Sequence, residues 1–172
     1  MKKILLATVL TLSALSALAQ DLSCSFVSTK TLKATGKEIP GEGTVTFAAP
    51  DRLTMTYTVP EGDYLIIEGD ELRSCAGGKT ITANTTKNAS MRTLRNTLLN
   101  CITGSYVKAA WENDADVVVE ENGGIKTVTL TARKQAARGY SRIVIDYNAD
   151  NLPVRMVLDE FGGISTAFEF KY

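Results

Sequence analysis

The sequence predicts a mainly β fold: many antiparallel strands, interrupted once by helix. Three observations predict it. Leu53, Met55, Tyr57 and Val59 alternate with Thr54, Thr56 and Thr58, and a period of two puts one set on each face of a strand. Turn chemistry recurs at short intervals, as Pro50-Asp51, Pro60-Glu61-Gly62-Asp63 and Gly69-Asp70, where proline fixes φ and glycine takes positive φ. Apolar residues recur at steps of three and four in one clear place, Met91, Leu94, Leu98, Leu99 and Ile102, the mark of a helix with one apolar face.

Taken in order, the chain opens with a targeting segment over residues 1–19. Lys2 and Lys3 precede an apolar run from Ile4 to Leu18, and Ala17-Leu18-Ala19 fits the small-x-small cleavage rule. The run is shorter than the ~20 residues that span a bilayer, and no stop-transfer pattern follows. Lipidation at Cys24 is the other reading, but Asp21 breaks the apolar pattern that such a signal carries. The expectation is an exported periplasmic chain of one domain, residues 20–172.

Leu22 to Leu32 reads as a first strand, Lys33 to Pro40 as a loop, and Gly41 to Leu72 as a meander that continues to Cys75. Ala76-Gly77-Gly78 turns into a short extended piece, Lys79 to Ala83. Asn88 or Ser90 caps the helix and Gly104 ends it, with further helical turns over Tyr106 to Trp111. Val117 to Val119 then meets a hairpin signal in Asn122-Gly123-Gly124. Three strands close the chain: Ser141 to Tyr147, Pro153 to Asp159, and Ile164 to Tyr172 with Phe168 and Phe170 on one face.

Composition removes whole classes of function. The precursor carries 19 basic and 19 acidic residues, and loss of Lys2 and Lys3 leaves the mature chain near −2. No basic patch suits nucleic acid. The absence of histidine excludes Ser-His and Cys-His catalysis and most zinc sites. Asp146 to Asn151 begins like a calcium loop, but the sixth position is Asn151 rather than glycine and the twelfth is Val157 rather than glutamate, so it reads as a hairpin turn. The acidic pairs Asp70-Glu71, Glu120-Glu121 and Asp159-Glu160 sit at turns. A hydrolase built on scattered carboxylates stays the weakest reading. No catalytic residue, metal or cofactor is expected. Of the three cysteines, Cys75 and Cys101 read either as a disulfide or, with Cys24, as small buried hydrophobes.

The meander resembles the first sheet of the LolA-type periplasmic lipoprotein carriers. The residues that carry the likeness are Gly43-Thr44-Val45-Thr46-Phe47, Pro50, Arg52 to Tyr57, Pro60 and Ile66-Ile67-Glu68-Gly69-Asp70. Ser25 to Leu32 and the closing runs Ile143 to Asp146, Leu152 to Val154 and Ile164 to Phe170 extend it over most of the mature chain. The resemblance implies a curved sheet forming an incomplete, half-open barrel, with the helix as a lid over an apolar cavity. It implies a monomeric carrier that shields lipoprotein acyl chains on the way to the outer membrane. Its partners would be an inner-membrane lipoprotein-release complex and an outer-membrane acceptor. Leu53, Met55, Tyr57, Val59, Phe168 and Phe170 become candidate cavity residues beneath Met91, Leu94 and Leu98. Family members place an arginine before the first proline to hold the lid. Ala49 stands there in this sequence, so Arg52 is the candidate for that role. The alternative is a domain of the same fold that binds a lipid or protein signal without carrying it.

Overall fold

The computed structural model describes residues 21–135 and 139–172; the expected leader lies outside them. Among the described residues, eleven strands form one antiparallel sheet. Along the chain they are β1 (Leu22–Leu32), β2 (Lys37–Ala48), β3 (Arg52–Val59), β4 (Tyr64–Glu68), β5 (Glu71–Ala76) and β6 (Lys79–Asn84). Helices α1 (Ala89–Ile102) and α2 (Tyr106–Glu112) follow. Then come β7 (Ala115–Asn122), β8 (Ile125–Ala132), β9 (Tyr140–Tyr147), β10 (Pro153–Glu160) and β11 (Ile164–Lys171).

The spatial order is β6-β5-β4-β3-β2-β1-β11-β10-β9-β8-β7. Each hairpin adds a strand at the nearest free edge, so the chain meanders outward from β1 to β6. It then has to reach the opposite edge to begin β7. Residues 85–114 make that crossing, and their two helices lie against the sheet's apolar face. The sheet stays open, with β6 and β7 as its edges. The half-open architecture thus follows from where the single helical stretch falls in the sequence.

Strand alternation decides the core. In β3, Leu53 and Met55 are buried while Thr56 is exposed. In β2, Val45 and Phe47 face in between exposed Thr44 and Thr46. Phe26 packs edge-on against Tyr57 and Phe168, with ring centroids 5.0 and 5.7 Å away. Gly43 makes room for it: a Cβ there would come within 2.1 Å of the Thr56 carbonyl oxygen and 2.8 Å of the Phe26 ring.

The predicted loop over Lys33 to Pro40 is half strand. Gly36, at φ 67°, completes the turn with its N–H donating to the Leu32 carbonyl at 2.8 Å, and β2 starts at Lys37. Pro40 is tolerated because it lies beyond the end of β3, whose pairing begins at Glu42, so its missing N–H faces no partner there. Asn88 is the α1 cap, accepting from the Met91 N–H at 3.1 Å. The Asp146–Asn151 segment is a hairpin turn in which the Asn148 side chain accepts from the Leu152 N–H at 2.9 Å.

Candidate functional site

The space expected beneath the helix is filled. Leu53, Met55, Leu98, Phe168 and Phe170 are buried in one cluster, with Tyr57, Met91 and Leu94 packed half-buried against it. Val59 does not join them and is 43% exposed. The register skips at Thr58, since Glu42 pairs with Val59 and Gly43 with Tyr57, and this bulge takes Val59 out of the alternation.

Two further expectations are corrected. Arg52 does not hold the helix. It precedes inward-facing Leu53, so its side chain lies on the outer face of the sheet and pairs with Glu68. Cys75 and Cys101 are free thiols, as is Cys24. Leu72 points into the core, so Cys75, three residues on in an unbroken register with β4, points to the other face. Cys101 is buried inside, and the sheet stands between the two.

Among the described residues, open space lies beside α1, at the end of the half-barrel where β1 begins and β2 ends. It is a groove of about 860 Å³ between α1, α2, the β2–β3 corner and the β9–β10 turn. Its floor is the edge of the core cluster, where Leu22, Phe47, Leu99 and Ile102 are buried, and Pro50, Leu152, Asp51, Arg95, Asn96, Asn100, Lys108, Glu112 and Asp150 complete its lining. Trp111, the single tryptophan, stands on the rim and is 80% exposed. Helix α1 therefore works on two faces. Leu98 and Leu99 are both buried in the core cluster, and Leu99 also borders the groove.

A polar latch holds α1 to the first sheet. The Arg95 guanidinium donates to the Asp51 carboxylate at 2.9 Å, the Gly69 carbonyl at 2.6 Å and the Asn96 side chain at 2.9 Å. Its side chain is only 16% exposed. Asn96 in turn donates to Glu112 at 3.0 Å, and Asn113 donates to buried Thr97 at 2.7 Å, which ties α2 to α1. On the far side the Tyr147 hydroxyl donates to the Cys101 carbonyl at 2.8 Å. The acid sits at the proline corner and the arginine on the helix.

Cys101, Tyr140 and Tyr147, packed beside the helices, are uncharged. Burial pushes the Cys101 thiol up to about 12. Burial raises Tyr147 and Tyr140 as well, so all three stay protonated at neutral pH. Outside the groove, beside the β7–β8 turn, the Lys126 amine lies 5.1 and 5.4 Å from the ring centroids of Tyr147 and Tyr106 and donates to the Asn151 side chain. That cation is held by aromatic faces rather than by a carboxylate.

Sequence reasoning missed Arg95, Phe47, Trp111 and Leu152 as one site. A lone tryptophan in a helix with Val107 four residues before it, both exposed, was the available signal. Among the described residues, no helix is long and apolar enough to cross a membrane.

The family model described as outer membrane lipoprotein carrier protein LolA matches residues 17–172. No curated protein matches the chain. Solved structures similar to it include a LolA superfamily protein from Nitrosomonas europaea, with 10% identity, 90% of this chain and 86% of that one covered, and a TM-score of 0.41. A DUF1329 family protein from Desulfovibrio piger has 14% identity, 90% and 85% coverage, and a TM-score of 0.40. The lipoprotein LppX from Mycobacterium tuberculosis has 14% identity, 87% and 84% coverage, and a TM-score of 0.34.

Proposed function

This chain belongs to the outer membrane lipoprotein carrier protein LolA family, and on that premise we propose that it is a non-catalytic periplasmic carrier of lipoprotein acyl chains. The observation that carries this reading is the groove: its volume of about 860 Å³, its apolar side chains and the bare indole at its rim. Small-molecule sites commonly span about 300–1,000 Å³. Each methylene moved from water onto Leu22, Phe47, Leu99, Ile102 and Leu152 is worth about 0.8 kcal/mol. The polar rim suits the ester and peptide end of a lipoprotein, which stays hydrated.

Helix α1 is the wall between groove and core. In the proposed cycle, release of the Arg95 latch lets α1 swing and joins the groove to the face formed by Leu53, Met55, Phe168 and Phe170. The filled interior is then the unloaded state. The leader over residues 1–19 is removed after Ala19. Loading is from an inner-membrane release complex, and delivery is to an outer-membrane acceptor.

The packed concave face favours a second reading, a domain of this fold that senses a lipid or a protein without carrying it. Mass spectrometry of lipids that co-purify with the protein, beside displacement of a fluorescent fatty acid, separates the two. The carrier retains acyl lipid and exchanges it for the probe. Protein that is lipid-free and binds no acyl probe removes the carrier reading.

A further inference from the structure

Strand β7 is an edge of the sheet and, among the described residues, pairs only with β8. Every residue from Asp116 to Asn122 is exposed, and Val117, Val118 and Val119 are 37, 56 and 43% exposed. Proteins ordinarily blunt such an edge with charged side chains, lysine above all, with proline, a bulge or a short strand; the charges of β7 are acidic, Asp116, Glu120 and Glu121, and suit a basic partner. The opposite edge is blunted, being six residues long and starting at Lys79. β7 runs for eight residues without lysine or proline, and its register with β8 is unbroken.

The free backbone groups can be assigned. Gly123 and Gly124 form a two-residue turn, with φ of 58° and 81°, between Asn122 and Ile125, which pair across it. In such a hairpin that closing pair is hydrogen-bonded, and the pattern alternates from there. Glu120 and Val118 therefore bond inward to Thr127 and Thr129. The N–H and C=O groups of Val117, Val119 and Glu121 point away from β8. Val117 and Val119 pair with buried Leu130 and Val128, so their side chains lie on the apolar side of the sheet. Asp116, Val118 and Glu120 lie on the other.

We propose that the β7 edge is a docking site that takes an extended segment of another protein as a twelfth, antiparallel strand, with β-branched residues at its centre and lysine or arginine at its ends. The basic ends follow from charge. A strand centred on Val118 sets its flanking residues opposite Asp116 and Glu120, with the next opposite Glu121. A second copy of this chain is disfavoured, since antiparallel β7 against β7 puts Asp116 opposite Glu120. Main-chain bonds supply the attraction, and the alternating side chains supply the choice of partner. The inference is independent of acyl binding in the groove.

The test titrates isotope-labelled protein with the capped peptide Lys-Lys-Val-Thr-Val-Lys and follows amide resonances. Expected are shifts confined to β7 and β8, slowed exchange at the Val117, Val119 and Glu121 amides, and weaker binding at high salt. Val119→Pro removes an outward N–H and no bond to β8, which an edge strand tolerates. It should weaken binding about ten-fold or more. Glu120→Lys with Glu121→Lys keeps the edge and should reverse the preference toward a peptide with glutamates in place of lysines. The proposal is overturned by shifts that fall on β6 or the groove, by equal binding of acidic and basic peptides, by unchanged affinity in folded Val119→Pro, or by self-association through β7.

Discussion

Replacing Arg95 by Met keeps the aliphatic stem and removes the latch. The side chain is 16% exposed and Asp51 37%, so the pair is neither a bare surface bridge nor a buried one. A hydrogen bond to a charged group contributes about 1.5–3 kcal/mol when shielded, and an exposed ion pair about 0–1 kcal/mol. The contact with the Gly69 carbonyl, at 2.6 Å, belongs to the first class, and the Asp51 contact lies toward the second. The expected loss is about 2 kcal/mol. At about 2–4 °C per kcal/mol for a chain of this size, the thermal midpoint falls by about 4–8 °C. Combining Arg95→Met with Asp51→Asn should show a coupling of about 0.5–1 kcal/mol that shrinks at high salt. On the carrier reading, the single variant also takes up an acyl probe faster, because α1 is freer to move. A midpoint within about 1 °C of the parent, with no coupling to Asp51, would refute the latch and leave α1 held by packing alone.

The remaining predictions are local. Iodoacetamide at pH 8 should label Cys75 in the folded protein, while Cys24 and Cys101, buried and with thiols raised by that burial, react only after unfolding; rapid labelling at Cys101 would contradict its placement. Gly43→Ala should destabilise by about 2 kcal/mol or more, since its Cβ meets backbone and ring rather than a mobile side-chain end; denaturant unfolding measures it. Leu98→Ala should behave as a core truncation, losing about 2–5 kcal/mol. Partial burial alone would raise the Asp159 carboxyl, but Lys33 and Ser165 hydrogen-bond to it and Lys33 and Arg142 add their charge, so it titrates below its ordinary 3.8. A depressed folded value means stability that is present at neutral pH and lost as pH falls through that value. Asp159→Asn should therefore flatten the acid side of the stability profile, and an unchanged slope would contradict this.

The strands were legible because one face of each is buried, which forces apolar and polar residues to alternate, as in Leu53 to Thr58. The helix was legible through its stripe and its Asn88 cap. The bulge at Thr58 was not, because Val59 continues the alternation in sequence and leaves it only in pairing. The start of β2 was hidden by Pro40, a strand breaker except where a neighbouring strand has already ended. The groove was illegible for a different reason. Leu22, Phe47, Leu99 and Leu152 come from four distant segments, and Arg95 finds Asp51 across 44 positions. No local pattern links such residues; only the strand order does. The filled interior likewise depends on how far α1 settles onto the sheet, which periodicity does not encode.

The central claim, that the groove takes acyl chains, is tested most directly by the fluorescence of Trp111. It is the single tryptophan, it stands on the groove's rim and it is 80% exposed, so its emission should begin red-shifted, as for an indole in water. Titration with a palmitoylated peptide should move the emission to the blue, saturably, and Leu99→Gln should weaken the effect while thermal unfolding shows the variant folded. Emission that stays at the solvent value through saturating lipid, in protein shown to be folded, would contradict the account.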